Sequence, residues 1–371
     1  MQGPILTEVV GGLGVVTLNR PRALNALNLE MVRELTAVLR GWSHDPAVHA
    51  VLLRGSAREA VEGKQPVTHF CAGGDIRFMH DAALAGDAAV EDFFTEEYAL
   101  DHLIHAYPKP TIAWLQGVTM GGGMGLAQGC KLRVATETLR MAMPETRIGL
   151  FPDVGGGHFL SRCAGAIGEY LGIVGPHLHV SDALAVGLAD VAARGDALAP
   201  FLSGLRERPE HGGEAIVARL RVHVDQHALT ELPAATVTAH VEAIQRHFSL
   251  HTLQDIVASL AHDHSAWARE TLQQMAGHSP LMMAVTLEQV RRARSMPLAE
   301  VFRMERTMVR HCFQLRRGAD SETIEGVRAL VVDKDHAPRW RPARVEDVRQ
   351  DEVEAFFGQV WPLWAHPLRD L

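Results

Sequence analysis

A layered α/β core followed by a mainly helical C-terminal region is the fold class this sequence predicts. Three observations predict it. Short apolar runs recur in strand–strand–helix order over the first part of the chain, glycine clusters stand where such strands end, and the later part turns to helical periodicity.

Ile5–Val10 and Gly14–Leu18 read as two strands about Gly11-Gly12, a hairpin signal. Asn28 is placed to cap a helix over Leu29–Arg40, in which Leu29, Val32, Leu35 and Leu39 recur at helical spacing. His49–Arg54 is a buried-strand candidate. Residues 55–68 form a long polar loop that leads through His69–Cys71 into Ala72-Gly73-Gly74-Asp75. Val90–His105 reads as a helix. Thr111–Leu115 is an apolar strand running into Gly117 and Gly121-Gly122-Gly123, after which Met124–Gln128 is helical; Leu132–Thr136 and Leu139–Met143 are further strands. Helices follow at Ala164–Leu171, Ser181–Val186 and Glu214–His227. The polar stretch Glu207–Gly213 is the softest boundary, dividing the chain into an α/β core (1–205) and a mainly helical region (206–371).

With 371 residues, 47% hydrophobic and 22% charged, the chain has the composition of a well-buried globular protein. Its net charge of -8 argues against a nucleic-acid partner, which requires a basic face. It leaves room for a small anion held by local cations such as Arg20, Arg22, Arg77 and Lys109. Cys71, Cys130, Cys163 and Cys312 have no CxxC spacing, so neither a zinc site nor a disulfide framework is indicated. No basic, apolar leader is visible at the N-terminus, and no run approaches the roughly 18 apolar residues of a membrane span. The expected setting is reducing and cytoplasmic, with no membrane partner.

Thr119–Gly125 follows a strand and opens a helix, so its first N–H groups are available to a ligand with the helix dipole behind them. The alternatives are a tight turn packed under a neighbour, or a P-loop. The P-loop fails because no Gly-Lys-Ser/Thr ends the run. Alone, Gly73-Gly74-Asp75 is a turn signal. Paired with the triple glycine it becomes a candidate oxyanion hole, in which each donor is worth on the order of 3 kcal/mol of transition-state stabilisation. His223 and His227 stand at i, i+4, but no third ligand is evident and a solvated helix face is the simpler reading; no metal is expected.

The succession Asn19–Leu27, Phe70–Arg77, Glu96-Glu97-Tyr98, Thr119–Gly123, Met143–Thr146, Gly149–Gly156 and Gly326–Asp335 resembles the crotonase (enoyl-CoA hydratase/isomerase) superfamily, and within it the 3-hydroxyisobutyryl-CoA hydrolases. The resemblance covers most of 11–195 and again about 278–345. It implies a crotonase-like spiral of β-β-α units and an acyl-CoA thioester substrate. Coenzyme A enters only as part of that substrate, with no other cofactor. The resemblance also implies valine catabolism and, as often in that superfamily, a homo-oligomer.

Residue by residue, the resemblance implies that the N–H groups of Gly74 and Gly122 hold the thioester oxygen, and that Glu145 and Asp153 line the substrate pocket. It implies that Glu97 is a further substrate contact and that Arg22, Ala23, Ala72, Gly74, Asp75 and Ile76 lie along the CoA moiety. Bland readings stand beside these. A Glu after Pro is often a first-turn residue favoured by the helix dipole, and Asp153 is placed to cap a helix near Gly156. Hydratases of the superfamily carry a Glu two residues after the triple glycine, where this chain has Gly125. That weakens the hydratase alternative and leaves hydrolysis, with Glu145 as nucleophile or as general base. A non-catalytic acyl-CoA-binding protein is the third reading.

Overall fold

The computed structural model describes residues 3–58, 67–316 and 318–371; residues 59–66 of the anticipated polar loop lie outside them. The chain forms two compact units, each assembled from three segments. The first takes residues up to 74, 100–142 and 177–236, and the second 75–99, 143–176 and 237–371.

The described residues of the first unit hold ten strands: β1 (Ile5–Val10), β2 (Leu13–Leu18), β3 (Ala50–Gly55), β4 (Ala57–Arg58), β5 (Val67–Thr68), β6 (Thr111–Leu115), β7 (Val118–Met120), β8 (Leu132–Thr136), β9 (Arg140–Ala142) and β10 (Val191–Ala193). β1 and β2 make the anticipated antiparallel hairpin, with Ile5 opposite Leu18. The main sheet then runs β1-β2-β3-β6-β8-β10, parallel from β2 onward. Parallel strands are covered on both faces, and accordingly every residue of β2 and of β6 is buried. On one face, Val15, Leu52, Ile112, Trp114 and Val134 pack with Phe201 and Leu205 of the Leu198–Glu207 helix and with Ile216 and Leu220 of the Gly213–Gln226 helix. Burying a side chain of this size contributes roughly 1.5–3 kcal/mol. The Glu207–Gly213 stretch is the connection between those two helices, inside the first unit.

Asn28 does cap the helix that follows it, accepting from Met31 N at 3.0 Å, and the helix continues to His44. A small second sheet pairs β7 with β9, and β4 pairs with β5. β10 was not anticipated from sequence: three short residues, Val191–Ala193, carry no period. Lys109, considered above as an anion-binding cation, donates instead to the carbonyls of Trp42 and Asp45 near the end of the Leu29–His44 helix.

The second unit is mainly helical. At its centre, the Pro280–Ala293 helix is capped by Ser279, which accepts from Met282 N at 3.1 Å, and starts on a proline whose missing N–H costs nothing there. It packs against Gly156–Leu160, Gln350–Ala355 and Ile167–Val174, the last buried at all eight positions. The Ile76–Ala85 helix was also unanticipated; Asp75 caps it through Phe78 N at 3.3 Å. Among the described residues, no helix is long and apolar enough to cross a membrane.

Candidate active site

In the first unit, the two glycine clusters are brought together by strand pairing. Phe70 N donates to Gln116 O at 2.8 Å, Cys71 N to Val118 O at 3.1 Å, and Met120 N returns to Cys71 O at 3.0 Å. A Cβ on Gly73 would lie 3.5 Å from Gly122 N, so the runs abut; Gly73 itself has φ +103°, which disfavours any other residue. At Gly123 a Cβ would stand 2.3 Å from Cys71 O, so the helix can approach the Cys71 main chain only without one. Gly122 is the first residue of the Gly122–Gly129 helix, and its N–H has no preceding turn to bond. No acceptor among the described residues takes the Gly74 N–H.

The Asn19–Leu27 motif buttresses the first cluster. Buried Asn25, at φ +57°, accepts from Arg20 N (2.9 Å) and Ser56 Oγ (3.2 Å) and donates to the carbonyls of Ser56 (3.1 Å) and His69 (2.7 Å). All its hydrogen-bonding capacity is used. Ala72 N then bonds Leu24 O at 3.1 Å and Leu27 N bonds Gly73 O at 2.8 Å. Of the residues assigned to CoA, Arg22 is exposed and Ala23, Ala72 and Gly74 are half-buried in this unit. Asp75 and Ile76 begin the Ile76–Ala85 helix of the second unit, with the Asp75 side chain occupied as its cap.

The carboxylates belong to the second unit. Glu145 opens the short Glu145–Ile148 turn, as its place after Pro144 suggested, yet it is only 5% exposed. Its Oε2 has no hydrogen-bond partner among the described residues. Burial, with the charge of Asp153 added, pushes its carboxyl well above the usual range. Asp153, also 5% exposed, accepts from the Tyr98 hydroxyl at 2.7 Å. Burial raises its carboxyl to about 6, and the Tyr98 bond pulls the other way. The Asp153 side chain does not cap the Gly156–Leu160 helix; only its carbonyl takes part, accepting from Gly156 N at 2.7 Å. Glu97, buried on the Ala89–His105 helix, adds its charge to those of Asp153 and Glu305 around the Tyr98 phenol. Burial foremost, and then those charges, hold that phenol well above 10.

Such a cluster can present one reactive carboxylate (Glu145) while a second is fixed in place (Asp153). Tyr98→Phe is therefore expected to raise the pH at which Asp153 titrates. A hydrogen bond to a charged group is worth about 1.5–3 kcal/mol in favour of the ionised form. Carboxyl 13C NMR of the variant measures this; an unmoved Asp153 resonance would refute it.

Tyr98 was evident in the sequence only as the neighbour of Glu97. Glu305 and Gln289, which hold the Asp153 loop, were missed. A signal for Glu305 existed: Val301, Phe302, Glu305, Met308, Val309 and Cys312 form one buried stripe, so that Glu sits on an apolar helix face. The His223 and His227 rings stack at 4.1 Å, and each bonds a main-chain carbonyl instead of facing only solvent. No metal-binding cluster occurs among the described residues.

The family model for enoyl-CoA hydratase/isomerase matches residues 13–357. The mitochondrial 3-hydroxyisobutyryl-CoA hydrolase of Gallus gallus is 38% identical over 95% of this chain and 88% of its own length. That of Homo sapiens is 36% identical over the same shares. Among solved structures, a carnitinyl-CoA dehydratase from Mycobacterium thermoresistibile superposes with a TM-score of 0.83 at 34% identity, covering 97% of this chain and 98% of that one. An enoyl-CoA hydratase from Rhodobacter sphaeroides 2.4.1 gives 0.82 at 35%, covering 96% and 98%. The crotonase-like fold expected from sequence is thereby established.

The cytoplasmic setting is not: both hydrolases are named as mitochondrial. The expectation failed because cysteines without disulfide partners report only reducing conditions, and no disulfide joins the four here. They cannot separate one reducing compartment from another.

Proposed function

The chain belongs to the enoyl-CoA hydratase/isomerase family, and on that premise we propose that it hydrolyses short 3-hydroxyacyl-CoA thioesters, with 3-hydroxyisobutyryl-CoA as substrate and valine catabolism as setting. The observation that carries this reading is Glu145: a buried carboxylate with one oxygen that has no partner among the described residues, beside an Asp153 fixed by Tyr98. The hydrolase names of the relatives support it.

In this mechanism, a Glu145 oxygen adds to the thioester carbonyl carbon, and the carbonyl electron pair moves onto oxygen. The N–H groups of Gly74 and Gly122 act as the oxyanion hole for that charge. Collapse breaks the C–S bond, the sulfur leaves with the electron pair as CoA thiolate, and a mixed anhydride remains on Glu145. Water then adds to the anhydride, releasing the free acid, a proton and the Glu145 carboxylate. Asp153 and Glu97 contact the acyl portion, Asp153 accepting from the 3-hydroxyl; Arg22, Ala23, Ala72, Gly74, Asp75 and Ile76 run along the CoA. In the general-base variant, Glu145 takes a proton from the attacking water instead, and the atoms balance in the same way.

A second reading, hydration of an enoyl-CoA, draws on the superposition with the Rhodobacter sphaeroides enoyl-CoA hydratase. Gly125 opposes it, because that chemistry in this superfamily uses a second glutamate there. Incubation with 3-hydroxyisobutyryl-CoA, following free thiol, and with crotonyl-CoA, following enoyl absorbance, separates the two. Thiol release supports hydrolysis, enoyl loss supports hydration, and silence in both points to a binding protein.

Because both mechanisms need ionised Glu145, kcat/KM should climb with pH along an acid limb displaced upward from that of an ordinary glutamate, by burial first and then by the charge of Asp153. The charge of Asp153 adds to that displacement, so the position of the limb depends on both carboxyls. A pH–rate profile already flat at pH 5 would contradict the assignment.

A further inference from the structure

We propose that Glu305 is a positioning residue for Asp153, holding the 152–157 loop from the Leu298–Gln314 helix with Gln289 as its partner. The inference rests on the reading that Asp153 takes part in thioester hydrolysis.

Glu305 is fully buried and uses both oxygens: Oε2 accepts from Gly155 N at 2.7 Å, and Oε1 from Gly157 N at 2.8 Å. Gln289, equally buried, donates its Nε2 to Glu305 Oε1 at 2.9 Å and to Pro152 O at 2.7 Å. The loop is thus pinned on both sides of Asp153, at 152 by the amide and at 155 and 157 by the carboxylate. Between the pins, Val154 adopts φ +54°, a conformation a β-branched residue enters only when its surroundings impose it.

One turn of the same helix also holds Tyr98. The Phe302 ring packs 5.9 Å from the Tyr98 ring, and Arg306 Nε donates to Thr95 Oγ1 at 2.8 Å on the helix that carries Tyr98. Residues 302–306 therefore grip both the donor and the acceptor of the Tyr98–Asp153 hydrogen bond. Burial pushes the Glu305 carboxyl up to about 8, and the two glycine N–H groups oppose this. With three N–H donors converging on two oxygens, the geometry is that of an ionised acceptor. A glutamine would turn an NH2 against one of them.

The test uses Glu305→Gln and Gln289→Met in the full chain, the second keeping volume while removing the amide donor. Two measurements are made: steady-state release of thiol from 3-hydroxyisobutyryl-CoA, and 13C NMR of substrate-free protein labelled at the tyrosine Cζ. The chain has three tyrosines, so the Tyr98 signal is assigned by its loss in Tyr98→Phe. Each variant is expected to lower kcat at least tenfold with KM within threefold, and to move the Tyr98 resonance in the direction that Asp153→Asn moves it.

An unmoved Tyr98 signal in a folded variant, with only thermal stability lowered, overturns the proposal, since mere filling of space would give that result. Should Glu305→Gln fail to fold, Gln289→Met decides. If the unmodified protein releases no thiol, the hydrolase reading falls, while the NMR still reports whether Glu305 sets the Tyr98–Asp153 contact.

Discussion

Glu145→Gln should lower kcat for thiol release by about 10³-fold or more while leaving acyl-CoA affinity within a few-fold. Glutamine fills the same volume but can neither add to the carbonyl as an anion nor accept a proton. The stability readout should move the other way. The Glu145 carboxyl sits well above its unfolded value because it is buried beside Asp153. A group whose folded pKa is raised contributes stability at low pH that is lost as pH rises. The neutral variant is freed from that loss, so its advantage over the parent should be larger at pH 8 than at pH 5. Stopped-flow thiol detection, calorimetric binding of the acyl-CoA and denaturant melts at both pH values test this. Undiminished turnover would remove Glu145 from the mechanism.

Gly123→Ala is expected to have the second-largest effect, although residue 123 contributes no functional group. Its Cβ would stand 2.3 Å from Cys71 O and 2.8 Å from Cys71 Cβ, and a main-chain carbonyl that already accepts from Met120 N cannot swing aside as a side-chain tip can. The Gly122–Gly129 helix must draw back from the extended segment at Cys71 that leads into Gly73-Gly74. Overpacking of this kind costs typically about 1–3 kcal/mol of stability, measurable as a lower denaturation midpoint. If Gly74 and Gly122 hold one oxygen, losing their register should also cost about 10²–10³-fold in kcat, the effect of removing one oxyanion donor. A destabilised variant with full kcat would argue that the two amides do not serve one oxyanion.

Much of the fold was legible locally. The β1–β2 hairpin follows from two apolar runs about Gly11-Gly12, the Leu29–His44 helix from Asn28 and its leucine spacing, and β6 from five consecutive residues that match Thr111–Leu115. Each is specified by neighbours in sequence. β10 and the Ile76–Ala85 helix were not legible, because a three-residue strand has no period and the helix is announced only by an Asp that equally marks a turn.

The candidate site divides in the same way. Glu145 and Asp153 stood out by residue type and by their place in a recognisable succession of motifs, as did the two glycine clusters. What the sequence alone determined is therefore the family, the local elements and the acidic and glycine residues offered for chemistry. Only the tertiary structure decided that Asp153 is held by Tyr98 rather than capping a helix, that Asn25 spends every hydrogen bond beneath the first glycine cluster, and that Glu305 carries the Asp153 loop from far along the chain. The physical reason is that a hydrogen bond between residues 55 or 150 positions apart leaves no trace in local periodicity or turn chemistry. It exists only once packing has brought the partners together and burial has made an unmet polar group costly.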